Sequence, residues 1–488
     1  MRSQFGREYE LLVAGARLKT PDKLKSLNPS DLSEVVGIHQ KATPDLAATA
    51  IESLFSYFPE WSRTAPEARA GMLLNVARLI RERKNEFNAW LVYEAGKTWI
   101  EAEADVSEAI DFCDFYAREA LRYSQPPPTV QLPGEKDEMF YIPLGVGVAI
   151  APWNFPLAIL VGMSTAALVT GNTVVIKPSS ETPTIAAKFA EVLLEAGFPE
   201  RAFCLVTGSG SSIGDVLVEH SKTRFISFTG SRDVGLRINE LAAKPRPGQI
   251  WIKRVVAEMG GKDSIVVDSD CDLDSAVQGV LVSAFGYQGQ KCSACSRAIV
   301  DASVYDEFLA KLVAKTEQIR VGPSDDPGNY MGPVISESAK NTILSYIDIG
   351  KKEGRLLTGG GAAPGNGHFL QPTIIADVEP AARIFQEEIF GPVLAVSKSN
   401  NFEHGLELAN DSEYGLTGAV FTRNREHIQK ARERFFVGNL YINRKCTGAM
   451  VGAHPFGGFN MSGTDSKAGG PDYLLLFLQA KSVGEKII

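Results

Sequence analysis

Two cysteines stand three positions apart in the stretch GYQGQKCSACSR. Cys292 and Cys295 could act as a metal clip, as a redox pair, or as one nucleophile, Cys292, beside an unrelated thiol. A thiolate attacks carbon far better than a thiol, and a neighbouring cation such as Lys291 can favour the anion. Glycines at 286 and 289 allow backbone and substrate to approach closely. These residue types therefore permit three different chemistries at one place.

A metal site and a redox pair have little support elsewhere in the chain. A tetrahedral zinc site needs two further ligands, yet no second Cys-x-x-Cys exists and the six histidines are scattered. A thioredoxin-like pair normally opens a helix in a small βαβ domain, whereas this pair lies deep in a chain of 488 residues. We therefore predict no metal, although a buried cysteine that merely fills the core remains an alternative to a nucleophile.

Two glycine-containing turns are candidates for binding a dinucleotide. VTGSGSSIGD has the spacing GxGxxxG instead of the usual GxGxxG, which is a weak indication. In FTGSRDVG, Gly230 and Ser231 separate a predicted strand from a predicted helix, where free N–H groups and the helix dipole favour phosphate. From spacing alone, an ordinary strand-to-helix turn explains FTGSRDVG equally well.

The elements that would position these residues follow a regular alternation from residue 145 onward. Short β-branched runs such as TVVIKPS and RFISFTG alternate with helical stretches such as TIAAKFAEVLLEAG. This alternation is typical of βαβ units with a parallel sheet, and it resumes after Glu258. The first 120 residues are predicted to be mostly helical, and YSQPPPTVQLPGEKDE interrupts the helices.

Length and composition narrow the class of protein. A chain of 488 residues predicts two or three packed units, and a net charge of −8 without basic runs argues against nucleic-acid binding. The uncharged stretch 139–176 contains three prolines, which predict a buried strand, loop and helix instead of a membrane span. Six cysteines are too few for a disulfide framework, and no secretory signal precedes them, so we expect a cytoplasmic protein.

Seven motifs, in order, resemble the NAD(P)-dependent aldehyde dehydrogenase superfamily. They are APWNFP, VVIKPS, FTGSRDVG, EMGGKD, GQKCSACSR, QEEIFGPV and PFGGFNMSG. The 1-pyrroline-5-carboxylate dehydrogenase branch is the most similar, through GQKCSACSR, NRKCTGAMVGAHPFGGFNMSG and TDSKAGGPDYLL. The resemblance begins near Asn28, and the segment before it is shorter than is usual for the branch, which implies a truncated or misassigned start.

The resemblance implies an α/β fold with three parts. A Rossmann-type NAD-binding domain would cover 1–125 and 144–257, and an α/β catalytic domain would cover 258–465. A small β flap at 126–143 and 472–488 would mediate oligomerisation, so a homodimer or larger homo-oligomer is expected. An apolar tail strand with an unpaired edge also favours a partner subunit.

The resemblance also implies catalytic roles for three residues. Cys292 matches the nucleophile, whose thiolate adds to the aldehyde carbon. The side chain of Asn154 and the backbone N–H of Cys292 would bind the oxyanion, and Glu258 would activate the water that hydrolyses the thioester. Cys295 has no implied role, although a Cys292–Cys295 disulfide is conceivable.

Cofactor contacts are implied at seven positions. They are Lys177 and Ser180 at the adenosine ribose, Trp153, Gly230 and Ser231 near the pyrophosphate, and Glu388 and Phe390 at the nicotinamide ribose. Strictly NAD-selective relatives often carry Glu where this chain has Ser180, and that charge would repel a 2′-phosphate. We therefore predict NAD as the cofactor, with NADP tolerated.

The implied substrate is L-glutamate γ-semialdehyde, which would be oxidised to L-glutamate in proline catabolism. Six residues would contact it: Ser293, Gly448 and Ala449 at the carboxylate, Phe155 and Phe456 along the chain, and Glu108 at the ammonium. An enzyme for another small semialdehyde or aliphatic aldehyde is the alternative, and a catalytically silent scaffold is an alternative of another class. A small-molecule aldehyde is thus expected as the ligand, with no nucleic-acid or membrane partner.

Overall fold

The computed structural model describes residues 1–487. Its N-terminal segment consists mainly of five strands. The strands are β1 (Arg7–Tyr9), β2 (Leu11–Val13), β3 (Ala16–Leu18), β4 (Lys23–Asn28) and β5 (Asp31–Gln40). The prediction of a mostly helical start was wrong for these residues. Their pairing decides their conformation, because β2 joins β3 through a turn at Ala14 and Gly15, both with positive φ, and also pairs with the distant residue Leu205.

Helices do fill the remainder of the first 124 residues. They are α1 (Pro44–Trp61), α2 (Pro66–Glu82), α3 (Lys84–Ala95) and α4 (Trp99–Ser124). Thr43 begins α1 by accepting a hydrogen bond from the backbone of Leu46. The helical stripe in α2 buries Val76, Leu79 and Ile80 in the core, as its spacing predicts.

A seven-stranded sheet follows, built mainly from the alternating segments. After β6 (Glu135–Pro143), the elements are β7 (Val146–Ile150), α5 (Ala158–Val169), β8 (Thr173–Lys177), α6 (Pro183–Glu195), β9 (Phe203–Leu205), α7 (Asp215–Glu219), β10 (Thr223–Thr229), α8 (Arg232–Ala243) and β11 (Arg254–Glu258). The strand order is β11-β10-β7-β8-β9-β2-β3, and β7 to β11 are parallel. The strand order reverses between β7 and β10, which is where ligands bind in open α/β sheets.

The uncharged stretch 139–176 lies mostly inside this unit. It forms the end of β6, then β7, the APWNFP loop, the buried helix α5 and most of β8. No helix within residues 1–487 is both long and apolar enough to span a bilayer.

A second seven-stranded sheet starts just after β11. Its region contains β12 (Asp263–Val267), α9 (Leu273–Phe285), β13 (Cys295–Asp301), α10 (Tyr305–Thr316), α11 (Glu337–Glu353), β14 (Arg355–Thr358), β15 (Thr373–Ala376), α12 (Arg383–Gln386), β16 (Val393–Ser399), α13 (Phe402–Asn410), β17 (Tyr414–Gly415), β18 (Thr417–Phe421), α14 (Arg425–Arg434), β19 (Asn439–Ile442) and β20 (Phe459–Asn460). The order is β14-β15-β16-β13-β12-β18-β19, with β14 antiparallel.

The last strand, β21 (Leu478–Lys486), belongs to neither large sheet. It pairs antiparallel with β6 along the whole length of both strands, from Leu478 opposite Pro143 to Lys486 opposite Glu135. The two form a separate ribbon that joins segments more than 300 residues apart in the chain.

Candidate active site

Cys292 lies in a turn between α9 and β13, on a loop with unusual backbone geometry. Tyr287 and Gln288 both have positive φ, 50° and 56°, which is costly for residues other than glycine. Side-chain anchors stabilise this conformation: the Tyr287 hydroxyl donates to Ala95 O at 2.9 Å, and Gln288 Nε2 donates to Pro333 O at 2.7 Å. The cysteine itself stays partly exposed at the end of this fixed loop.

The electrostatic surroundings of Cys292 disfavour its thiolate. Burial, followed by the charges of Asp263, Glu388 and Glu258, raises the pKa of the thiol well above its usual value. Lys291 is not a free cation for Cys292, because its ammonium lies 2.7 Å from a carboxylate oxygen of Glu101. The expectation that Lys291 favours the anion is therefore not supported.

Glu258 ends β11 with both carboxylate oxygens engaged. Oε1 accepts from the Ser466 hydroxyl at 2.6 Å, and Oε2 accepts from the Gly458 N–H at 3.1 Å. A Cβ on Gly463 would lie only 3.1 Å from the carboxyl group, so a glycine leaves room for it. Burial raises the pKa of Glu258 to about 7, which suits a general base near neutral pH.

Asn154 is buried in the loop after β7 and is tied to the cysteine loop. Its Nδ2 donates to Gln290 O at 3.1 Å, and the Gln290 side chain accepts from the Ile335 N–H at 2.9 Å. The amide to which the resemblance assigns the oxyanion is thus held by a backbone carbonyl two residues before Cys292. Cys295 is buried at the start of β13, where its thiol donates to Arg297 O at 3.4 Å.

One cavity of about 390 Å³ is lined by the predicted substrate residues and by two of the three predicted catalytic residues, whereas Asn154 is not among its lining residues. Cys292 and Glu258 line it together with all six predicted substrate residues, Glu108, Phe155, Ser293, Gly448, Ala449 and Phe456. Its volume and largely apolar walls are typical of small-molecule sites. Burial, and secondarily the charge of Asp105, raises the pKa of Glu108 to about 8.

The predicted cofactor residues lie at the carboxyl ends of adjacent parallel strands. Trp153 follows β7, Lys177 ends β8, and Gly230 and Ser231 lie between β10 and the start of α8. Ser180 follows β8, and its hydroxyl donates to Gly208 O at 3.3 Å. Parallel strands bring these residues to the same edge, at the reversal of strand order.

Lys177 is suited to bind a polar ligand at this edge. It is 5% exposed, and the hydrogen bond found for its ammonium in the described chain is a long one, 3.4 Å to Pro178 O. Burial lowers the pKa of Lys177 to about 8. Hydroxyl or phosphate oxygens of a nucleotide would supply the missing acceptors, so the residues present fit such a group.

Glu388 and Phe390 approach the same edge from the second unit. Glu388 Oε1 accepts from the Gly261 N–H at 3.0 Å, and burial raises the pKa of this carboxyl to about 7. The ring of Phe390 meets the ring of Trp153 edge to face, with 5.4 Å between centroids. The second unit thereby closes over the end of the first sheet.

Three contributors to the site were missed from the sequence. Ser466 binds Glu258, Gln290 positions Asn154, and a buried ammonium, Lys97, lies 3.8 Å from the centre of the Phe155 ring. Lys97 lies outside the motifs, and Ser466 lies within TDSKAGGPDYLL with no sign there that it binds Glu258, because the importance of both residues depends on contacts far away in the chain. Gln290 lies within GQKCSACSR, and its adjacency to the cysteine was the available signal.

No group of three or more His, Cys, Asp or Glu side chains in the part of the chain that the structure describes could hold a metal ion. The six cysteines are free thiols, and Cys292 and Cys271 are the more exposed of them.

The chain is similar to known proteins over nearly its whole length. Residues 17–483 match the model of the aldehyde dehydrogenase family. The 1-pyrroline-5-carboxylate dehydrogenase of Geobacillus thermodenitrificans is 58% identical over 485 residues, which are 99% of this chain and 94% of the relative. The enzyme of the same name from Bacillus subtilis is 54% identical with the same coverage.

Solved structures show the same fold. The crystal structure of 1-pyrroline-5-carboxylate dehydrogenase from Thermus with bound NAD has a TM-score of 0.98 and 50% identity, and the match covers 99% of this chain and 94% of that one. Betaine aldehyde dehydrogenase from Staphylococcus aureus, in complex with NAD+, has a TM-score of 0.92 and 30% identity, with coverage of 98% and 95%.

Proposed function

Since the chain belongs to the aldehyde dehydrogenase family, we propose that it oxidises L-glutamate γ-semialdehyde to L-glutamate with NAD as the hydride acceptor. The observation that carries the proposal is the single cavity shared by Cys292, Glu258 and the six candidate substrate residues. Relatives more than 50% identical over nearly the whole chain bear the name of this activity.

The first step is addition of Cys292 to the carbonyl. Cys292 first loses its thiol proton to solvent. The thiolate sulfur then forms a bond to the aldehyde carbon, and the carbonyl electron pair moves to oxygen to give a tetrahedral hemithioacetal. Asn154 Nδ2 and the backbone N–H of Cys292 donate to the resulting oxyanion. Because both donors are fixed before the charge develops, loss of either is expected to cost roughly a hundredfold in kcat.

Oxidation follows when the oxyanion re-forms its carbonyl. The C–H bond breaks with its electron pair, which bound NAD accepts as a hydride, and a thioester on Cys292 remains. Lys177, Ser180, Trp153, Gly230 and Ser231 would bind the cofactor along the edge of the first sheet, and Glu388 and Phe390 would bind it from the second unit.

Hydrolysis of the thioester uses Glu258. The carboxylate takes a proton from water, whose oxygen attacks the thioester carbon, and the C–S bond then breaks to release the acid and restore the thiolate. The pKa of Glu258 of about 7 lets it accept this proton near neutral pH and return it to solvent.

Each part of the semialdehyde has its own contacts in the cavity under this proposal. The Ser293 hydroxyl and the N–H groups of Gly448 and Ala449 bind the carboxylate, while Phe155 and Phe456 contact the aliphatic chain. Glu108 approaches the ammonium. Proline catabolism is the proposed context, because the semialdehyde is the open form of 1-pyrroline-5-carboxylate, which the relatives are named for.

We propose a homodimer or larger homo-oligomer in the cytoplasm, with the β6–β21 ribbon as the oligomerisation flap. The domain limits are proposed as 1–125 with 144–257, then 258–465, and the flap at 126–143 with 472–488. NAD is preferred and NADP tolerated, because Ser180 carries no charge to repel a 2′-phosphate, and kinetics with both cofactors test this.

The decisive experiment measures NADH formation by the purified protein. We expect kcat/KM to be much higher for L-glutamate γ-semialdehyde than for pentanal or succinate semialdehyde. Cys292→Ala should abolish turnover, whereas the neighbouring Cys295→Ala should retain it. A preference for an uncharged aldehyde would replace this proposal with a general aldehyde dehydrogenase, and no activity with any aldehyde would favour a silent scaffold.

A further inference from the structure

The candidate cavity contains two lysines that differ in how their charges are satisfied. Lys291 and Lys445 both line it, close to Cys292 and Gly448, and Glu101 lies on the same wall. A substrate carboxylate is attracted more strongly by a cation whose charge is not already neutralised. The attraction of each lysine for the substrate therefore depends on the carboxylates that lie close to its ammonium.

Lys291 is neutralised by an ion pair. Its ammonium lies 2.7 Å from Glu101 Oε2 and 2.8 Å from Oε1, and both side chains are mostly buried, 11% and 18% exposed. An anion that approached Lys291 would also approach the Glu101 carboxylate. The net attraction of this pair for a substrate carboxylate is therefore small.

Lys445 has no such partner. Among residues 1–487, no carboxylate lies within 4.0 Å of its ammonium. Partial burial, and next the positive charge of Lys291, lower the pKa of Lys445 and outweigh the opposing charge of Glu101, so this ammonium would gain from an added anion.

The ammonium of Lys445 also lies beside the proposed carboxylate site. A Cβ built on Gly448 would be 3.3 Å from Lys445 Nζ and 3.2 Å from its Cε. The Gly448 N–H is one of the donors assigned to the carboxylate, so a cation and a backbone donor converge on the same region.

Neighbouring residues fix the backbone that carries Lys445. Cys446 is fully buried, and its N–H donates to the Ser283 hydroxyl at 3.2 Å. Arg444 Nη2 donates to Thr447 O and Gly448 O, each at 3.0 Å, which closes the turn. The path of the loop is therefore determined on both sides of Lys445.

We propose that Lys445 is the specificity-determining cation of this cavity, which favours aldehydes that bear a carboxylate remote from the reacting carbon. This inference rests on the proposed function and deepens it. Lys445 is exposed at the cavity rim, so solvent screens its attraction, and an effect of roughly five- to tenfold on KM is expected. Screening also predicts that added salt weakens the effect.

The test compares two aldehydes of equal carbon number, L-glutamate γ-semialdehyde and pentanal. Lys445→Met should raise KM for the semialdehyde by roughly five- to tenfold while kcat and the kinetics with pentanal stay unchanged. Lys445→Arg should restore the low KM, and Lys352→Met, an exposed lysine on α11 outside the cavity, serves as the matched control. In wild type, added NaCl should raise KM for the semialdehyde, and in Lys445→Met this dependence should be much weaker.

The outcomes separate the two proposals. If wild type prefers the semialdehyde and Lys445→Met has the same KM and salt dependence, the role of Lys445 is wrong and the proposed function stands. If wild type shows no preference over pentanal, the proposed function itself is wrong. Pentanal turnover reports whether a variant is folded, and Lys445→Gln replaces Lys445→Met if that variant is inactive with pentanal.

Discussion

The reactive thiol and three nearby carboxyl groups form one electrostatic unit. Burial and the charges of Asp263, Glu388 and Glu258 raise the pKa of Cys292, while Glu258 and Glu388 each have a pKa raised to about 7 by burial. Ionisation of these acids therefore opposes ionisation of the thiol. The free protein is expected to keep Cys292 protonated at neutral pH, so it resists alkylation until a positive charge enters the site.

Replacement of Glu388 by Gln should make this thiol more reactive. Glu388 is ionised above its pKa of about 7, and its charge then raises the pKa of Cys292. Glu388→Gln removes that charge, so the thiolate fraction at pH 8 rises, and alkylation by iodoacetamide in the absence of cofactor should be several times faster. Peptide mass spectrometry that follows label at Cys292 measures the rate. An unchanged or slower rate would show that Glu388 does not control this thiol.

A second prediction concerns the hydrogen bond from Ser466 to Glu258. This bond and the one from the Gly458 N–H lower the pKa of Glu258, against the larger effect of burial. Ser466→Ala removes one of them, so the pKa should rise above about 7. Because the base works as a carboxylate, activity at acidic pH should fall, and the acid limb of the kcat profile should move to higher pH when hydrolysis limits the rate.

Ser466→Thr provides the control for that profile, because it keeps the hydroxyl. A parallel loss of activity at every pH would indicate structural damage instead of a change in basicity. A profile in Ser466→Ala that matches wild type would contradict the assignment.

At the scale of elements, a buried ion pair joins three helices behind the cavity. Lys97, between α3 and α4, lies 3.2 Å from Asp105 in α4, and both side chains are fully buried. Asp105 Oδ1 accepts from the Ala158 N–H at the start of α5, at 2.7 Å. The same ammonium lies over the rings of Phe155 and Tyr287, at 3.8 and 4.3 Å from their centres. The wall of the cavity and the packing of these helices therefore both depend on the Lys97–Asp105 pair.

Removal of one partner should be more harmful than removal of both. Asp105→Leu leaves a buried lysine without its counter-ion, a change that typically costs about 3–5 kcal/mol, and the midpoint of thermal unfolding should fall. The double variant Lys97→Met with Asp105→Leu should recover part of that loss, because apolar groups of similar size replace both charges. Thermal unfolding of the single and double variants measures this, and equal losses in both would contradict an ion-pair origin.

The elements that could be predicted from the sequence are those with a local signal. The runs at β8 and β10 and the helix α6 have β-branched or helical periodicity and clear ends, and the motifs after β7, β8 and β10 follow directly. The strands β1 to β5 could not be predicted, because β1 to β4 are short and the conformation of all five is decided by pairing with other strands.

The residues of the site also divide into those with a local signal in the sequence and those without one. Cys292, Glu258 and the glycines around them could be found because they lie in motifs. Ser466 and Glu258 are 208 residues apart, and Lys97 resembles any helix-end lysine until its burial is known. The pKa values of the site depend on burial, which the pattern of residues does not show.

For the whole molecule, the β6–β21 ribbon is notable because it stands apart from both seven-stranded sheets. It contains two strands only, and neither of its outer edges pairs with another strand among the described residues. Two-stranded ribbons are marginally stable alone in water, and exposed edges promote pairing with another chain. The loop before β6 also exposes Val130 and Leu132, 84% and 54%, which adds apolar surface at the same place.

Deletion of residues 479–488 therefore tests the proposed oligomer. Leu474 and Phe477 are fully buried in the first core, so truncation after Leu478 leaves those anchors in place while it removes most of β21. We expect size-exclusion chromatography with light scattering to show a mass that falls from at least that of a dimer to that of a monomer. Lys486→Ala, which keeps the strand, should leave the mass unchanged. A truncated protein that keeps the larger mass would place the interface elsewhere, and a wild-type monomer would show that the ribbon needs no partner copy.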